Sequence, residues 1–323
     1  MEWLYEIEFS AYTYTKSMRR GWKILMNVQT DHEAMKVKKK QHPRVEAFKN
    51  FMYRFRKNKA ALIGGILILS FIVIAIVGPF FTPYTFEEQE MTNKLASPSA
   101  ENWFGTDHFG RDIFSRVIHG MKITLYIGFF SVILGGTVGV FLGIISGYYG
   151  RKIDAIIMRC MDVLLAFPGI LLALAIVSVL GGSLNNVVIA VAVFSVPVFA
   201  RIVRSSTLEV KNLEYIDAIK ALGASDVRII SRHILPNVLS PLIVQATLNI
   251  ATAILAASGL SFLGLGAEQP TPEWGLMLSD GRNYLFKAPH VAFFPGVAIV
   301  CVVLAFNILG DGLRDALDPK MKL

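Results

Sequence analysis

Long apolar stretches without charged residues constrain this chain more than any other feature of its sequence. The first, residues 60–81, contains no Asp, Glu, Lys, Arg or His in 22 positions. A helix needs about 20 predominantly apolar residues to cross the hydrocarbon core of a bilayer. Six stretches approach or exceed that length, and they cover residues 60–81, 123–149, 163–180, 184–200, 238–266 and 291–310. The sequence therefore predicts an all-α integral membrane protein with six transmembrane helices.

The distribution of basic residues predicts the orientation of these helices. The 323-residue chain is 54% hydrophobic and only 17% charged, yet its net charge is +8, which suits either a nucleic acid or an anionic membrane. With the N-terminus inside, 26 of the 32 Lys and Arg residues lie on the cytoplasmic side, against six in the opposite topology. The positive-inside rule therefore predicts both termini in the cytoplasm, segment 82–122 outside and segment 201–236 inside. The basic excess is a topology signal, and no nucleic-acid partner is expected.

The segment before the first span divides into two parts. Residues 1–40 show no clean period, and residues 1–44 are predicted to form a cytoplasmic tail. In residues 45–59, apolar side chains recur at helical spacing with Lys and Arg between them, which predicts an amphipathic helix on membrane lipid. The alternative is a basic anchor without defined structure. The remaining residues, 60–323, are predicted to form one six-span domain.

The sequence shows no recognisable motif for nucleotide hydrolysis or catalysis. Neither a G-x-x-x-x-G-K-[ST] phosphate loop nor an H-E-x-x-H zinc motif occurs in the sequence. The six stretches also contain none of the ionisable groups that ion-coupled transporters usually place at membrane depth. We therefore expect a non-catalytic subunit without a cofactor of its own, whose energy for any uphill transport comes from a partner.

The second stretch carries four glycines at intervals of four residues: Gly135, Gly139, Gly143 and Gly147. One narrow stripe of glycine lets another helix backbone approach closely. The alternative explanation of the four glycines is that glycine is generally enriched in membrane helices. The pattern does not tell whether the partner helix belongs to the same chain.

Polar residues interrupt the last two predicted spans. Gln245, Thr247, Asn249 and Thr252 lie in the fifth, and Asn307 lies in the sixth. Such groups either hold helices together or line a wet path. On the second interpretation, Gln245, Asn249 and Asn307 are candidates for lining a translocation path.

The predicted outer segment contains four metal-ligating residue types: Asp107, His108, Asp112 and His119. Their spacings of one, four and seven residues allow a metal site. An apolar helical pattern follows them, however, which favours helix capping and a structural Arg111–Asp112 interaction. No metal site is predicted.

The cytoplasmic segment predicts two short helices. Residues 209–222 have a helical pattern, and Gly223 fits a helix stop. Ser225 fits the N-cap of a second helix, which Pro236 would end. On physical grounds this is either a docking element or merely a structured loop.

The residues of this segment resemble the EAA loop of ABC importer permeases. That loop reads E-A-A, three residues, Gly, nine residues and I-x-L-P, and residues 217–236 read D-A-I, three residues, Gly223, nine residues and H-I-L-P. The chain departs from the pattern at Asp217, Ile219 and His233.

Three further stretches look like the dipeptide/oligopeptide/nickel permease family, specifically the second of its two permease types. They are NWFGTDHFGRDIFSR at 102–116, RCMDVLLAFPG at 159–169 and GLSFLGLG at 259–266. The resemblance covers roughly residues 45–323 and leaves out residues 1–44.

The resemblance implies a six-span subunit that pairs with a second, homologous permease. Two cytoplasmic ATPase subunits would bind ATP and magnesium, and an extracytoplasmic solute-binding protein would deliver cargo. In the family, the EAA helix sits in a cleft on the ATPase and transmits its closure to the spans. By that analogy the ATPase-coupling residues are Tyr215, Asp217, Ala218, Ala221, Leu222, Gly223 and Ala224.

Short peptides are the cargo that the resemblance implies, and the cell membrane of a bacterium or archaeon is the implied location. One alternative is the same importer architecture carrying nickel or another small solute. The other is a channel or membrane scaffold that works without nucleotide, and co-purification of ATPase chains would distinguish it.

Overall fold

The computed structural model describes residues 43–317, so most of the predicted tail, residues 1–44, lies outside the described residues. A boundary between two units of the chain falls between Tyr53 and Arg54. The α-helices of the described residues are α1 (Pro43–Lys57), α2 (Lys59–Val77), α3 (Ile113–Tyr149), α4 (Arg151–Ala166), α5 (Gly169–Leu180), α6 (Leu184–Lys211), α7 (Glu214–Ala221), α8 (Asp226–Ile229), α9 (Leu235–Phe262), α10 (Trp274–Gly281) and α11 (His290–Leu317). Within residues 43–317 the β-type pairing amounts to one isolated bridge, Thr106–Asp112, which confirms the all-α prediction for this part of the chain.

Five helical segments are long and apolar enough to cross a bilayer. They are Lys59–Phe80, Ile113–Tyr149, Leu184–Lys211, Asp226–Phe262 and His290–Leu317. Each coincides with one of the predicted stretches, but several helices are longer than the uncharged stretch inside them. Helix α3 begins at Ile113 rather than at residue 123, and α6 runs to Lys211 rather than to residue 200. A search for uncharged sequence misses the charged ends of these helices.

The predicted third span, residues 163–180, is not one straight helix. Helix α4 ends at Ala166, α5 begins at Gly169, and their axes differ by 90°. Between them Phe167 is extended, with φ −90° and ψ 136°. The ring of Pro168 disfavours helical backbone in the preceding residue and leaves no N–H to continue the helix. The described residues therefore contain five candidate spans, or six if the bent pair crosses as one.

The bundle is organised around α3, α6 and α9. Helix α3 packs along α6, α9 contacts α3, α6 and α11, and α2 packs against α11. The largest fully buried apolar side chains include Phe199 of α6, Phe306 of α11 and Trp274 of α10. Helix α2 instead exposes large apolar side chains such as Ile66, Leu69 and Ile76. An exposed apolar helix of this kind is suited to lipid or to another chain.

The end of the bundle that carries the start of α3 is closed by two connecting segments, the loop of residues 81–112 and residues 263–289, which include α10. Their contact is built on two arginines whose side chains are 1% exposed, Arg111 and Arg116. Arg111 donates to the Gln269 side-chain oxygen over 2.7 Å, and Arg116 donates to the Phe86 carbonyl over 2.8 Å and the Pro270 carbonyl over 3.1 Å. The buried guanidinium groups thereby fasten the two segments to each other and to α3.

The acidic residues near the start of α3 have structural hydrogen-bond partners. Asp112 caps α3, because its carboxylate accepts from the Ser115 N–H over 2.7 Å. The predicted Arg111–Asp112 interaction is wrong, since Arg111 instead pairs with Asp107 over 2.6 Å. The i,i+4 spacing lets the Asp107 carboxylate accept from both the backbone and the side chain of Arg111. Within residues 43–317 no group of three His, Cys, Asp or Glu residues could hold a metal ion.

Candidate coupling surface and the helix seam beneath it

The predicted glycine stop after α7 has the geometry of a Schellman motif. Gly223 has φ +81°, a conformation that glycine adopts without steric cost. The Gly223 N–H donates to the Lys220 carbonyl over 2.9 Å, and the Ala224 N–H donates to the Ile219 carbonyl over 3.3 Å. Ile219 and Ala224 also pack against one hydrophobic cluster, and such a contact frequently accompanies the motif. The turn therefore fixes the angle between α7 and α8.

The second predicted helix does not end at Pro236. Helix α8 begins after Ser225, which has the extended backbone of an N-cap but makes no side-chain capping bond. It then passes through a π-helical turn, Ile230–Ile234, directly into α9. In that turn the Leu235 N–H donates to the Ile230 carbonyl, five residues back. The wider turn accommodates the proline ring, which would otherwise disturb a regular helix. The candidate span that contains α9 therefore starts at Asp226.

Most of the predicted coupling residues lie on one exposed surface, which we call the α7–α8 surface. Its exposed members are Tyr215, Asp217, Ala218, Ala221, Leu222, Gly223 and, on α8, Val227, whereas Ala224 is half-buried. Leu222 is 86% exposed and Val227 is 75% exposed. Exposed apolar side chains on a charged segment make this surface a candidate for burial against another protein.

The inner face of the same element is buried. Ile216 of α7, Ile229 of α8 and Ile234 of the π turn are fully buried, and they cluster with Ile144 of α3 and Val203 of α6. Helix α7 has eight residues and is too short to be stable alone. Its position is therefore set by this packing against the ends of α3 and α6.

Tyr148, near the end of α3, joins the coupling element to the bundle, and the sequence analysis did not identify it. Its hydroxyl donates to the Asp226 carboxylate over 2.6 Å, and its backbone carbonyl accepts from the Lys211 ammonium over 2.6 Å. The Lys220 ammonium lies 5.3 Å from the centre of its ring. Tyr148 therefore contacts α6, α7 and α8 from α3. Its neighbours are distant in sequence, so no local pattern marks it.

A second connection at this end of the bundle is ionic. Asp154 of α4 accepts from Arg204 of α6 through both carboxylate oxygens, at 2.5 and 2.6 Å. The Ser146 hydroxyl of α3 donates to the same carboxylate over 2.5 Å. A bidentate Arg–carboxylate pair is geometrically specific. The ends of α3, α4 and α6 are thus held in one arrangement.

The glycine stripe of α3 lies against α6 of the same chain. A Cβ atom would lie 2.5 Å from the Ala192 carbonyl oxygen at Gly135 and 2.6 Å from that of Ala200 at Gly143. At Gly139 and Gly147 the nearest carbonyl oxygens, those of Val196 and Arg204, would be 2.8 and 2.9 Å away. Real Cβ atoms do not approach this closely, so the stripe is what allows the two backbones to touch. We call this contact the glycine seam.

The three polar candidates for path lining occupy different environments. Gln245 lines a cleft of about 870 Å³ between α6, α9 and α11. Asn249 is buried, and its Nδ2 has no hydrogen-bond partner among the described residues. Asn307 is half-buried. Neither Asn249 nor Asn307 lines the cleft, so the structure does not bring the three together.

Two models of known protein families match this chain. The family model described as binding-protein-dependent transport system inner membrane component matches residues 139–323, more than half of the chain. A second model, the N-terminal TM domain of oligopeptide transport permease C, matches residues 47–98. The two matches cover most of the glycine seam, the α7–α8 surface and the first span.

Two relatives and one solved structure agree with those matches. The dipeptide transport system permease protein DppC of Alkalihalophilus pseudofirmus is 53% identical over 282 residues, covering 87% of this chain and 93% of the relative. The glutathione transport system permease protein GsiD of Pectobacterium atrosepticum is 49% identical over 276 residues, covering 85% and 92%. The MetNI methionine ABC transporter in an inward-facing conformation shares the fold, with a TM-score of 0.53 and 21% identity over 64% of this chain and 98% of that chain.

The exposed α7–α8 surface, the helix-rich membrane architecture and these matches converge on one assignment. The chain belongs to the family of binding-protein-dependent transport system inner membrane components, and it is a non-catalytic permease subunit of an ABC importer.

Proposed function

We propose that this chain forms one half of the translocation path of an importer for short peptides. The observation that carries the cargo class is the 53% identity, over 87% of the chain, to a permease named for dipeptides. The glutathione permease relative supports the same class, because glutathione is itself a tripeptide. Nickel, the alternative implied by the sequence, has no support among these relatives.

The α7–α8 surface is the proposed contact with an ATPase subunit. Leu222 and Val227 offer exposed apolar anchors, and the Gly223 turn holds α7 at a fixed angle. Burial of exposed apolar side chains in a partner is the usual source of binding energy at such contacts. Two cytoplasmic ATPase subunits, carrying ATP and magnesium, would supply the energy that this chain cannot.

The glycine seam is the proposed route by which ATPase closure reaches the membrane. The α7–α8 element is tied to α3 through Tyr148, and α3 is tied to α6 along the seam and through the Ser146–Asp154–Arg204 contacts. Backbones in direct contact deform little, so α3 and α6 are expected to move as one body. A rocking motion of this pair would alternate access to the path.

The remaining parts of the assembly are a second, homologous permease subunit and an extracytoplasmic solute-binding protein. We place the complex in the cell membrane of a bacterium or archaeon, with both termini and the α7–α8 surface in the cytoplasm. The basic residues support this orientation, because segment 201–236 and the N-terminal 59 residues together carry 20 of the 32 Lys and Arg.

The assembly and its cargo are tested together by purification and uptake. Affinity purification of the tagged chain from its own cells should recover two ATPase chains and a second permease. Cells lacking the gene should lose uptake of labelled dipeptides while nickel uptake is unchanged. Recovery of the chain alone would favour a channel or scaffold, and a defect confined to nickel would refute the peptide assignment.

The coupling role of the α7–α8 surface is tested at Gly223. Gly223→Val should reduce peptide-stimulated ATP hydrolysis, because a β-branched residue is strained by at least about 1 kcal/mol in the left-handed conformation. Gly223→Asn should retain more activity, since asparagine tolerates that conformation. Among the described residues nothing lies within 4 Å of a Cβ placed there, so a graded effect reports backbone strain rather than collision. Unchanged uptake in the valine variant would contradict the coupling role.

A further inference from the structure

The cleft between α6, α9 and α11 carries opposite charges on two of its walls. Glu209 lines it from α6 and Arg314 lines it from α11. Helix α9 contacts both of these helices and supplies the lining between them. Both charged side chains are exposed. Within the described part of the chain, neither forms an ion pair.

The rest of the lining is uncharged. Helix α9 contributes the polar side chains of Ser240 and Gln245 and the apolar side chains of Val244 and Leu248. The volume of about 870 Å³ falls in the range of small-molecule sites, about 300–1,000 Å³. The cleft thus combines two opposite charges, carried by different helices, with a lining that is otherwise uncharged.

A free peptide is chemically matched to that arrangement. Near neutral pH its α-amino group is cationic and its α-carboxylate is anionic, because their ordinary pKa values are about 8 and about 3.5. These two charges are common to all unmodified short peptides, whereas the side chains vary. A carrier of peptides of many sequences therefore has only the termini and the backbone as constant recognition features.

We propose that Glu209 and Arg314 form a clamp for the two termini of a short peptide, with Glu209 binding the ammonium group and Arg314 the carboxylate. The inference rests on the proposed function and deepens it, because it names the chemical features of the cargo that this chain recognises. The side chains are exposed, so each contact is weak. Weak binding suits a site that must release its cargo.

The clamp is tested by protection of a cysteine inside the cleft. The purified permease–ATPase complex, without binding protein, is used in lipid nanodiscs with Cys160→Ala, Cys301→Ala and Ser240→Cys. The rate of maleimide labelling is measured against increasing Ala-Ala, N-acetyl-Ala-Ala and Ala-Ala amide. Ala-Ala should protect at about 2- to 5-fold lower concentration than either blocked peptide, as expected for the loss of one exposed ionic contact.

The charge variants assign each terminus to its residue. In Glu209→Gln, Ala-Ala and N-acetyl-Ala-Ala should protect equally, while the amide remains weaker. In Arg314→Gln, Ala-Ala and its amide should protect equally, while the acetylated peptide remains weaker. Asp311→Asn is the matched control, because Asp311 is exposed on the same helix as Arg314 but does not line the cleft. It should preserve both preferences.

Two outcomes would overturn the clamp. In the first, the charge variants keep the wild-type preferences among the three peptides. In the second, the variants lose protection by all three peptides equally. Failure of the proposed function is separate and is read from uptake by the complete importer with its binding protein. If the importer transports dipeptides and the charge variants keep the wild-type preferences, the clamp alone is refuted. An importer that moves no dipeptide refutes the proposed function.

Discussion

At the scale of single residues, the hydroxyl of Tyr148 offers a direct test of transmission. Tyr148→Phe keeps the buried ring, which is 4% exposed, and removes the hydrogen bond to Asp226. We expect a loss of about 1 kcal/mol of stability and fewer peptides transported per ATP hydrolysed, because α8 is less firmly tied to α3. The measurement is uptake divided by ATP turnover in proteoliposomes. Tyr149→Phe changes the exposed neighbour and should behave as wild type, and an equal effect in both would refute the role.

Glu273, the N-cap of α10, makes stability depend on pH. Burial raises the pKa of its carboxyl, against the hydrogen bonds from Gly275 and Leu276 that lower it. Because the pKa is higher in the folded state, the contribution of Glu273 to folding stability is complete below the pKa of the unfolded state, about 4.3. That contribution is lost as the pH rises through the pKa of the folded state. Glu273→Gln imitates the neutral carboxyl and should raise the thermal unfolding midpoint at pH 7.

The difference between Glu273→Gln and wild type should shrink as pH falls toward about 4.3. Some pH dependence should remain in the variant, since burial also raises the pKa of Asp280 on α10. Glu268→Gln, at an exposed position of the preceding loop, serves as the control and should leave the profile unchanged. A Glu273→Gln midpoint below that of wild type at pH 7 would show that capping by the carboxylate outweighs its burial.

At the scale of elements, the glycine seam makes a prediction that separates two neighbouring positions. A Cβ at Gly139 would lie 2.5 Å from the Cβ of Phe199 and 2.8 Å from the Val196 carbonyl oxygen. A Cβ at Gly136 would meet the Phe199 ring at 3.6 Å, an ordinary contact. Gly139→Ala should therefore destabilise the complex by about 1–3 kcal/mol, whereas Gly136→Ala should have little effect. Thermal unfolding in detergent measures both, and equal midpoints would show that α3 and α6 can separate freely.

The elements also show what local sequence predicts and what it does not. The five long spans follow from hydropathy, because membrane helices must satisfy every backbone hydrogen bond internally and face lipid with apolar side chains. The glycine stop at Gly223 follows from backbone conformation alone. The break at Pro168 and the π turn before Pro236 do not follow from local sequence, because whether a proline ends, bends or widens a helix depends on what packs around it.

At the scale of the whole molecule, the features proposed here for transport are formed by segments that are distant in the sequence. Glu209 and Arg314 are far apart in sequence, and both line one cleft because α9 packs against both of their helices. Likewise, the glycine pattern alone left the partner helix open, and only the folded chain identifies α6. Sequence periodicity describes the faces of one helix, whereas a cleft depends on how several helices are arranged.

Orientation is the property of the whole molecule on which every proposed contact depends. The test uses a Cys160→Ala, Cys301→Ala background. Single cysteines are introduced at Ser97, in the segment 82–122 that is predicted to lie outside, and at Ser225, in the turn between α7 and α8. Both positions are exposed. A membrane-impermeant maleimide should label Ser97→Cys in intact spheroplasts and Ser225→Cys only after permeabilisation. The reason is electrostatic: placing 26 of the 32 Lys and Arg residues outside would oppose the positive-inside rule. Labelling of Ser225→Cys in intact spheroplasts would remove the α7–α8 surface from reach of a cytoplasmic ATPase, and the coupling proposal would fail with it.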